Sequence, residues 1–134
     1  MPNGERAELV IRNTLMHGWR QPSQTSLTAV LNLKENVGAT VTNCMFSEVE
    51  VAFRLRGPTS RGGAWVSIER CAIYDAKVGV RAEDGIENLR IDRLGFGSNV
   101  TRKYHLVAGG VGMGYRNRGE FKAPVFSEAV RKGL

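Results

Sequence analysis

Short stretches of alternating apolar and polar residues recur along this chain in one phrase that appears four times. Each copy begins with two or three alternating positions, reaches Asn or Arg, and ends on a large apolar side chain. The four copies are Leu9–Met16, Ala39–Phe46, Val66–Ile73 and Leu89–Phe96. Equivalent positions lie 30, 27 and 23 residues apart. A period of about 20 to 30 residues built from short strands is typical of a solenoid, whose units bury a shared core by stacking.

A second run of β-branched and large apolar residues follows the phrase in three of the units. These runs are Thr28–Leu33, Val51–Leu55 and Val78–Ala82. Turn residues such as Glu83-Asp84-Gly85 separate them, and no segment before about residue 120 has a helical period. The pattern therefore predicts an all-β fold of stacked coils, each made of short strands with turns at the corners.

Two pairs of segments carry a resemblance to a known architecture: Val41–Phe46 with Ala52–Leu55, and Ile68–Ile73 with Gly79–Ala82. Residues 7–108 resemble the right-handed parallel β-helix of the pectate-lyase-like superfamily. The resemblance implies a single-stranded right-handed parallel β-helix of about four coils with a short C-terminal capping segment. It implies nothing specific about chemistry, because that superfamily contains lyases, hydrolases, epimerases, tailspikes and adhesive proteins.

The corner of the phrase is the most specific point of the resemblance. In that superfamily an Asn in the left-handed conformation stacks at this corner with its neighbours to form a ladder. Asn13 and Asn43 match it, whereas Arg70 and Arg93 depart from it. We therefore expect a ladder two rungs long.

Two regions follow from this pattern: residues 1–108 as β-helix coils, and residues 109–134 as a Gly-rich exit and C-terminal cap. The glycine run Gly109–Gly114 lacks the Lys-Ser or Lys-Thr of a phosphate-binding loop, and we interpret it as a turn. Ser127–Gly133 has the residues of a short helix, with Ser127 as its N-cap. We expect this helix to cover the last coil through Phe121, Val125 and Phe126.

The two cysteines, Cys44 and Cys71, occupy the same position in successive copies of the phrase. Stacking would place them about 4.8 Å apart. Parallel side chains that face the same way seldom adopt the dihedral angle of a disulfide, so we predict a buried, reduced pair. Neither a Cys-x-x-Cys motif nor a nearby pair of histidines indicates zinc.

Charge favours an acidic partner. The net charge is +6 and the sequence pI is about 9.8, which suits uronate polysaccharides, nucleic acid or anionic glycans. The aromatic residues do not alternate with basic ones as a stacking platform for nucleic acid requires. No apolar run is long enough to cross a membrane, and the polar start has no secretory signal. The resemblance favours an extracellular or cell-surface location.

The second runs place a set of polar side chains on one outer face. Their alternation stacks Asn32, Arg54 and Arg81, with His105 at the end of the column and Arg56 just beyond it. Stacked like charges repel one another unless something anionic lies along them. We therefore predict a ligand face here; the alternative is a solvated basic face screened by Glu83 and Glu69.

Aromatic residues suggest an edge to that site. Trp19 and Arg20 lie in a long excursion from the first coil, where a tryptophan could stack on a sugar ring. The alternative is that Trp19 folds back to seal the coil. For Trp65, which opens a strand, packing in the core or at its edge is the expectation.

Catalysis is not indicated by the acidic residues. In the resembled family, lyases use an Arg or Lys as base beside carboxylate-bound calcium, and Arg54 and Arg81 match by position. Asp75, Asp84 and Asp92 are scattered, so neither a calcium site nor a pair of catalytic carboxylates can be recognised. We expect no cofactor, with calcium only if the protein is lyase-like.

The predicted function is an acidic-polysaccharide-binding β-helix that forms the non-catalytic end of a larger carbohydrate-active protein. Two alternatives stay open. One is an assembly module that associates with a second copy through its open coil end. The other is a fragment of a uronate lyase whose remaining site residues lie outside this chain.

Overall fold

The strands of this protein follow one another in stacked coils. The structure is a computed structural model that describes residues 6–18, 29–57 and 62–134. Within these residues the elements are β1 (Ala7–Arg12), β2 (Leu15–His17), β3 (Ala29–Leu33), β4 (Val37–Thr42), β5 (Met45–Arg56), β6 (Trp65–Glu83), β7 (Leu89–Phe96), β8 (Val100–Val107), β9 (Arg116–Lys122) and α1 (Phe126–Lys132).

All strand pairs in the described part of the chain are parallel, and they build a β-solenoid of about four turns. Three columns of strands run along it. The first column contains β1, β4, the start of β6, β7 and β9. The second contains β2, the start of β5, the middle of β6 and the end of β7. The third contains β3, the end of β5, the end of β6 and β8.

The register confirms the repeat that the sequence predicts. Leu9 pairs with Ala39, Ala39 with Val66, and Val66 with Leu89, so the four copies of the phrase stack position for position. Rows of inward side chains fill the core, and their inner members are fully buried. Three such rows are Ile11, Val41, Ile68 and Ile91; Met16, Phe46, Ile73 and Phe96; and Leu31, Phe53, Val80 and Tyr104.

The corner between the first and second columns has a left-handed backbone in every copy of the phrase. Asn13, Asn43, Arg70 and Arg93 have φ of 53°, 54°, 49° and 64°. Asn tolerates this conformation well, whereas a longer side chain adopts it at a cost. The Nδ2 of Asn43 donates to the Oδ1 of Asn13 over 2.8 Å. The predicted ladder of two rungs is therefore confirmed.

Just past this corner, Cys44 and Cys71 are buried and not joined by a disulfide, as predicted. Each thiol lies against backbone carbonyls, with Cys71 Sγ 3.5 Å from the oxygen of Val41. The hydrogen bond between the two thiols, followed by burial, raises the pKa of Cys71. The pair acts as small apolar filling between the coils.

Strand β9 adds a rung that the sequence did not indicate. It lies within the segment predicted as exit and cap, and it pairs with β7 from Arg90–Arg116 to Phe96–Lys122. Because its inward position, Asn117, lies at the end of the stack, it does not need to be apolar. The Asn117 amide donates instead to the hydroxyls of Tyr104 and Tyr115.

Helix α1 lies on the side of the solenoid. An outward column of Leu15, Met45, Ala72, Gly95 and Phe121 runs along the second strand column. The helix packs against this column through Phe126 and the buried Ala129. Gly95 makes room for the Phe121 ring in this column, since a Cβ on Gly95 would lie 2.6 Å from that ring.

Details of the helix differ from the prediction. Val125 is the N-cap and no side chain among the described residues caps the helix, so Ser127 does not have the role expected for it. Val125 is also exposed and is not an anchor, whereas Phe121 and Phe126 are. The sequence could not reveal the side-on position, because the apolar column that the helix packs against is assembled from one residue of each successive coil.

Candidate ligand-binding faces

The third column carries the outward side chains predicted to stack. Asn32 pairs with Arg54, Arg54 with Arg81, and Arg81 with His105. Arg56 lies two residues beyond Arg54 and pairs with Glu83. The arrangement of this face is thus as the alternation predicted, and its role in binding stays a prediction.

Glu83 neutralises the arginines of this third-column face. Its Oε1 accepts from the Nε of Arg54 over 2.9 Å and from the Nε of Arg81 over 2.7 Å. Glu83 itself is only 6% exposed. Burial alone would raise the pKa of this carboxyl, but the hydrogen bonds from Arg54 and Arg81 hold the pKa below its usual value. The anion that the stacked arginines require is therefore supplied by the protein.

The remaining charges on this face are also balanced. Arg56 Nε donates to Asp84 Oδ2 over 3.0 Å and lies 3.6 Å from Glu83. Burial, followed by the nearby charges of Arg102 and Arg81, lowers the pKa of His105, so this imidazole is mostly neutral at pH 7. Glu69, which was expected to screen this face, lies instead in the first column, paired with Thr42 and Asp92.

The first column presents a second outward face, which the sequence did not single out. Trp65 opens β6 and is 50% exposed, so the expectation that it packs in the core or at its edge was wrong. The guanidinium of Arg6 lies over its ring, 4.6 Å from the centroid, and Arg6 Nε pairs with Glu8 over 2.9 Å. Trp65 pairs in register with Gly38, which has no side chain. The ends of the Arg6 and Glu8 side chains occupy the space that a Cβ on Gly38 would fill.

Polar and basic side chains continue this face from Trp65 along the stack. Thr40 pairs with Ser67, Ser67 with Arg90, and Arg90 with Arg116. Within the residues that the structure describes, neither Arg90 nor Arg116 forms an ion pair. Arg116 uses one nitrogen, Nη1, to donate to the carbonyls of Met113 and Tyr115.

Two adjoining cavities follow this face. One, of about 410 Å³, includes Trp65, Thr40 and Glu87 in its lining. The other, of about 370 Å³, includes Asp92 and Arg118. Both are lined by Ser67, Arg90 and Arg116, so they form one continuous depression. We call this depression the first-column groove.

A signal for this groove was present in the sequence. The phrase itself places Thr40, Ser67 and Arg90 at one outward position of successive copies, and Trp65 lies two residues before Ser67. The signal was missed because a tryptophan at the start of a strand ordinarily packs inward. Arg116 could not be added to it, since β9 has no apolar alternation.

Other predicted site residues contribute less. Trp19 and Arg20 lie outside the described residues. Asp75 lies at the corner before the third column, Asp84 binds Arg56, and Asp92 lines the first-column groove, so these three carboxylates do not converge. In residues 6–18, 29–57 and 62–134, no group of three or more His, Cys, Asp or Glu side chains could hold a metal ion.

Over the same part of the chain, no helix is long and apolar enough to cross a membrane. Comparison with known proteins gives no match, whether with family models, curated proteins or solved structures. Function is therefore inferred from the geometry of the outward faces.

Proposed function

We propose that this protein is an acidic-polysaccharide-binding β-solenoid whose ligand lies in the first-column groove. The observation that carries the proposal is the stack of Arg90 and Arg116 beside an exposed Trp65, without any ion pair to a described residue. Adjacent like charges in a parallel sheet repel each other. An anion that bridges them would relieve this repulsion.

The arginines of the groove suit a chain of uronate or sulfated sugars, whose acidic groups would lie at Arg90 and Arg116 and away from Glu87 and Asp92. Arginine binds carboxylate and sulfate groups through parallel hydrogen bonds, which gives both affinity and orientation. A tryptophan face packs against the apolar face of a sugar ring. Thr40 and Ser67 add hydroxyl groups to the same face, one coil apart, and the side chains of this face repeat with the coils, as sugars repeat along a glycan.

The family relationship belongs to the same proposal. The parallel coils and the Asn13–Asn43 ladder support membership of the pectate-lyase-like superfamily. With it we propose an extracellular or cell-surface location and a role as the non-catalytic end of a larger carbohydrate-active protein. A uronate lyase fragment is the enzymatic alternative, and ultraviolet absorbance of unsaturated products during the binding experiment would reveal it.

The test compares two faces of one molecule. Retention of the chain on polygalacturonate, alginate, heparin and neutral glycans would be measured at low and moderate salt. The double variant Arg90→Ala/Arg116→Ala should weaken binding to the preferred acidic glycan at least about tenfold, because each charged hydrogen bond contributes roughly 1.5–3 kcal/mol. Trp65→Ala should also weaken it.

The matched control removes the same charge elsewhere. Arg131→Ala/Lys132→Ala changes two basic residues of α1, away from the groove. It should reduce only the general, salt-dependent attraction to the glycan and leave specific binding in the groove unchanged. If both double variants bind alike, or if the unmodified chain binds no acidic glycan, the groove is not a polysaccharide site.

One observation favours the second candidate, association through a coil end. Leu9 faces inward and is 38% exposed, whereas Ala39, its neighbour in the next coil, is 4% exposed. A second copy stacked on this end would cover it. Sedimentation should then show oligomers that Leu9→Asp abolishes; a monomer at all concentrations would contradict assembly.

A further inference from the structure

A separate cavity lies at the corner between the second and third columns. Its volume is about 600 Å³, and its polar lining consists of Glu50, Asp75, Lys77, Asn99 and Thr101. None of these residues lines the first-column groove. The cavity is therefore a separate site, which can be tested apart from the groove.

The solenoid brings these side chains together from three successive coils. Val49 pairs with Ala76 and Val51 with Val78, so Glu50 lies beside Lys77. The pairing of β6 with β8 places Thr101 next in the same row. Asp75 and Asn99 are left-handed corner residues, with φ of 48° and 60°, and they border this row on one side.

Glu50 is the residue that indicates a ligand. It is 5% exposed, and its Oε2 lies 3.2 Å from Lys77 Nζ. Its other oxygen, Oε1, is buried and has no hydrogen-bond partner among the described residues. Leaving a buried acceptor unsatisfied is costly, and native proteins rarely do so without a bound water, ion or ligand at that place. Glu50 lines the cavity, so a ligand there lies beside this carboxylate.

The charges of the lining select the class of ligand. The carboxylates of Glu50 and Asp75 oppose an anion, while the Lys77 ammonium, in the same lining, opposes a metal cation. Asn99 and Thr101 both donate and accept hydrogen bonds. A neutral molecule with several hydroxyl groups suits this lining, since a hydroxyl can donate to the Glu50 carboxylate and accept from an ammonium or amide.

We propose that this cavity, which we call the Glu50 cavity, binds a neutral sugar residue, one of whose hydroxyl groups donates to the Glu50 carboxylate. The volume exceeds that of one sugar ring and suits a terminal residue or a side branch of a glycan. The site is distinct from the first-column groove, so either can fail without the other.

The experiment uses the full chain and a panel of methyl glycosides of glucose, galactose, mannose and N-acetylglucosamine. Backbone amide resonances would be followed by NMR during titration. One glycoside should shift the resonances of residues 75–77 and 97–101, with a dissociation constant of the order of 1 mM for so small a ligand. Resonances of the first-column groove should not move.

Two variants separate binding from folding. Glu50→Gln should weaken the binding at least about tenfold by removing the charged acceptor. Because Glu50 is buried and this change could also disturb folding, Thr101→Val tests the same site at an exposed position and should weaken binding severalfold. Thr42→Val, in the first column, is the matched control and should bind as the unmodified chain does.

Three results would overturn the proposal. The first is the absence of shifts around the Glu50 cavity with every glycoside. The second is equal binding by Thr101→Val and Thr42→Val. The third is that calcium chloride alone reproduces the shifts, which would make the cavity a cation site.

Discussion

The side-chain amide of Asn43 donates a hydrogen bond of 2.8 Å to the side-chain carbonyl of Asn13, one coil away. Both residues are in the left-handed conformation, at φ of 54° and 53°. The corner therefore depends on one residue type for two reasons: Asn tolerates the backbone, and its side chain links the coils.

This double role predicts a graded response at position 43. Asn43→Ala should lower the free energy of unfolding by about 1–3 kcal/mol, because it loses the hydrogen bond and strains the left-handed backbone. Asn43→Gly should cost less, since glycine adopts this φ without strain. Urea denaturation of the two variants would measure the difference. Equal losses would mean that the backbone conformation is not what selects Asn here.

Close approach of two turns predicts the response of Gly57. A Cβ at this position would lie 2.5 Å from the backbone nitrogen of Ile86 and 2.6 Å from the oxygen of Asp84. Backbone atoms cannot move aside as side chains can, so Gly57→Ala should destabilise the fold by about 1–3 kcal/mol or more.

Gly38 supplies the comparison for this substitution. Its added Cβ would meet the side chains of Glu8 and Arg6, which can rotate away. Gly38→Ala should therefore cost clearly less in thermal or urea denaturation. If Gly38→Ala is as harmful as Gly57→Ala, steric contact with the backbone does not explain the requirement for glycine.

Inward-facing residues could be predicted from the sequence more completely than outward-facing ones. Inward rows such as Val41–Ile68–Ile91 could be aligned because burial requires apolar residues at a fixed spacing. Strand β9 was not predicted, because in the last coil an inward position does not have to be apolar. Its inward Asn117 is satisfied by two tyrosine hydroxyls.

Outer faces were harder to predict for a different reason. Alternation places Arg54 and Arg81 in one column, but it does not indicate that Glu83, in the neighbouring row, accepts from both. The balance of charge depends on side-chain reach between coils, which sequence spacing does not encode. For the same reason the unbalanced pair, Arg90 and Arg116, became visible only once β9 was in place.

Burial predicts slow chemistry for the cysteines. Cys44 and Cys71 are both 0% exposed, so a reagent cannot reach either thiol in the folded chain. Because a thiol reagent needs an exposed thiolate, neither should react with an aromatic disulfide until the protein unfolds, when two thiols should appear. Rapid labelling of the folded chain would contradict the burial of the two thiols. The absence of labelling after unfolding in denaturant would contradict their reduced state.

The hydrogen bonds to Glu83 predict a dependence of stability on pH. The pKa of Glu83 is held below its usual value in the folded protein, so between the two values the unfolded chain binds more protons. The resulting stability is complete above the unfolded pKa of about 4.3 and is lost as the pH falls through the folded pKa. Unfolding measured from about pH 6 to pH 3 should show this loss, and Glu83→Gln should reduce the slope. An unchanged slope in Glu83→Gln would mean that other carboxyl groups cause the loss of stability at low pH.

Removing the arginines of the third column tests whether that face serves the fold or a ligand. Arg54→Ala/Arg81→Ala takes both donors from the Oε1 of Glu83, which is buried. A buried carboxylate that loses its two closest partners is costly, but Arg56 stays 3.6 Å away and the side chains of Arg54 and Arg81 are 33% and 20% exposed, so water can replace part of their contribution. We expect a loss of roughly 1–3 kcal/mol in the free energy of unfolding. Adding Glu83→Gln to the double variant should restore part of it, since the charge that needed a partner is gone.

Binding of the Arg54→Ala/Arg81→Ala variant to the preferred acidic glycan should fall much less than binding of Arg90→Ala/Arg116→Ala. A variant that stays as stable as the parent and yet loses glycan binding would instead make the third column the ligand face.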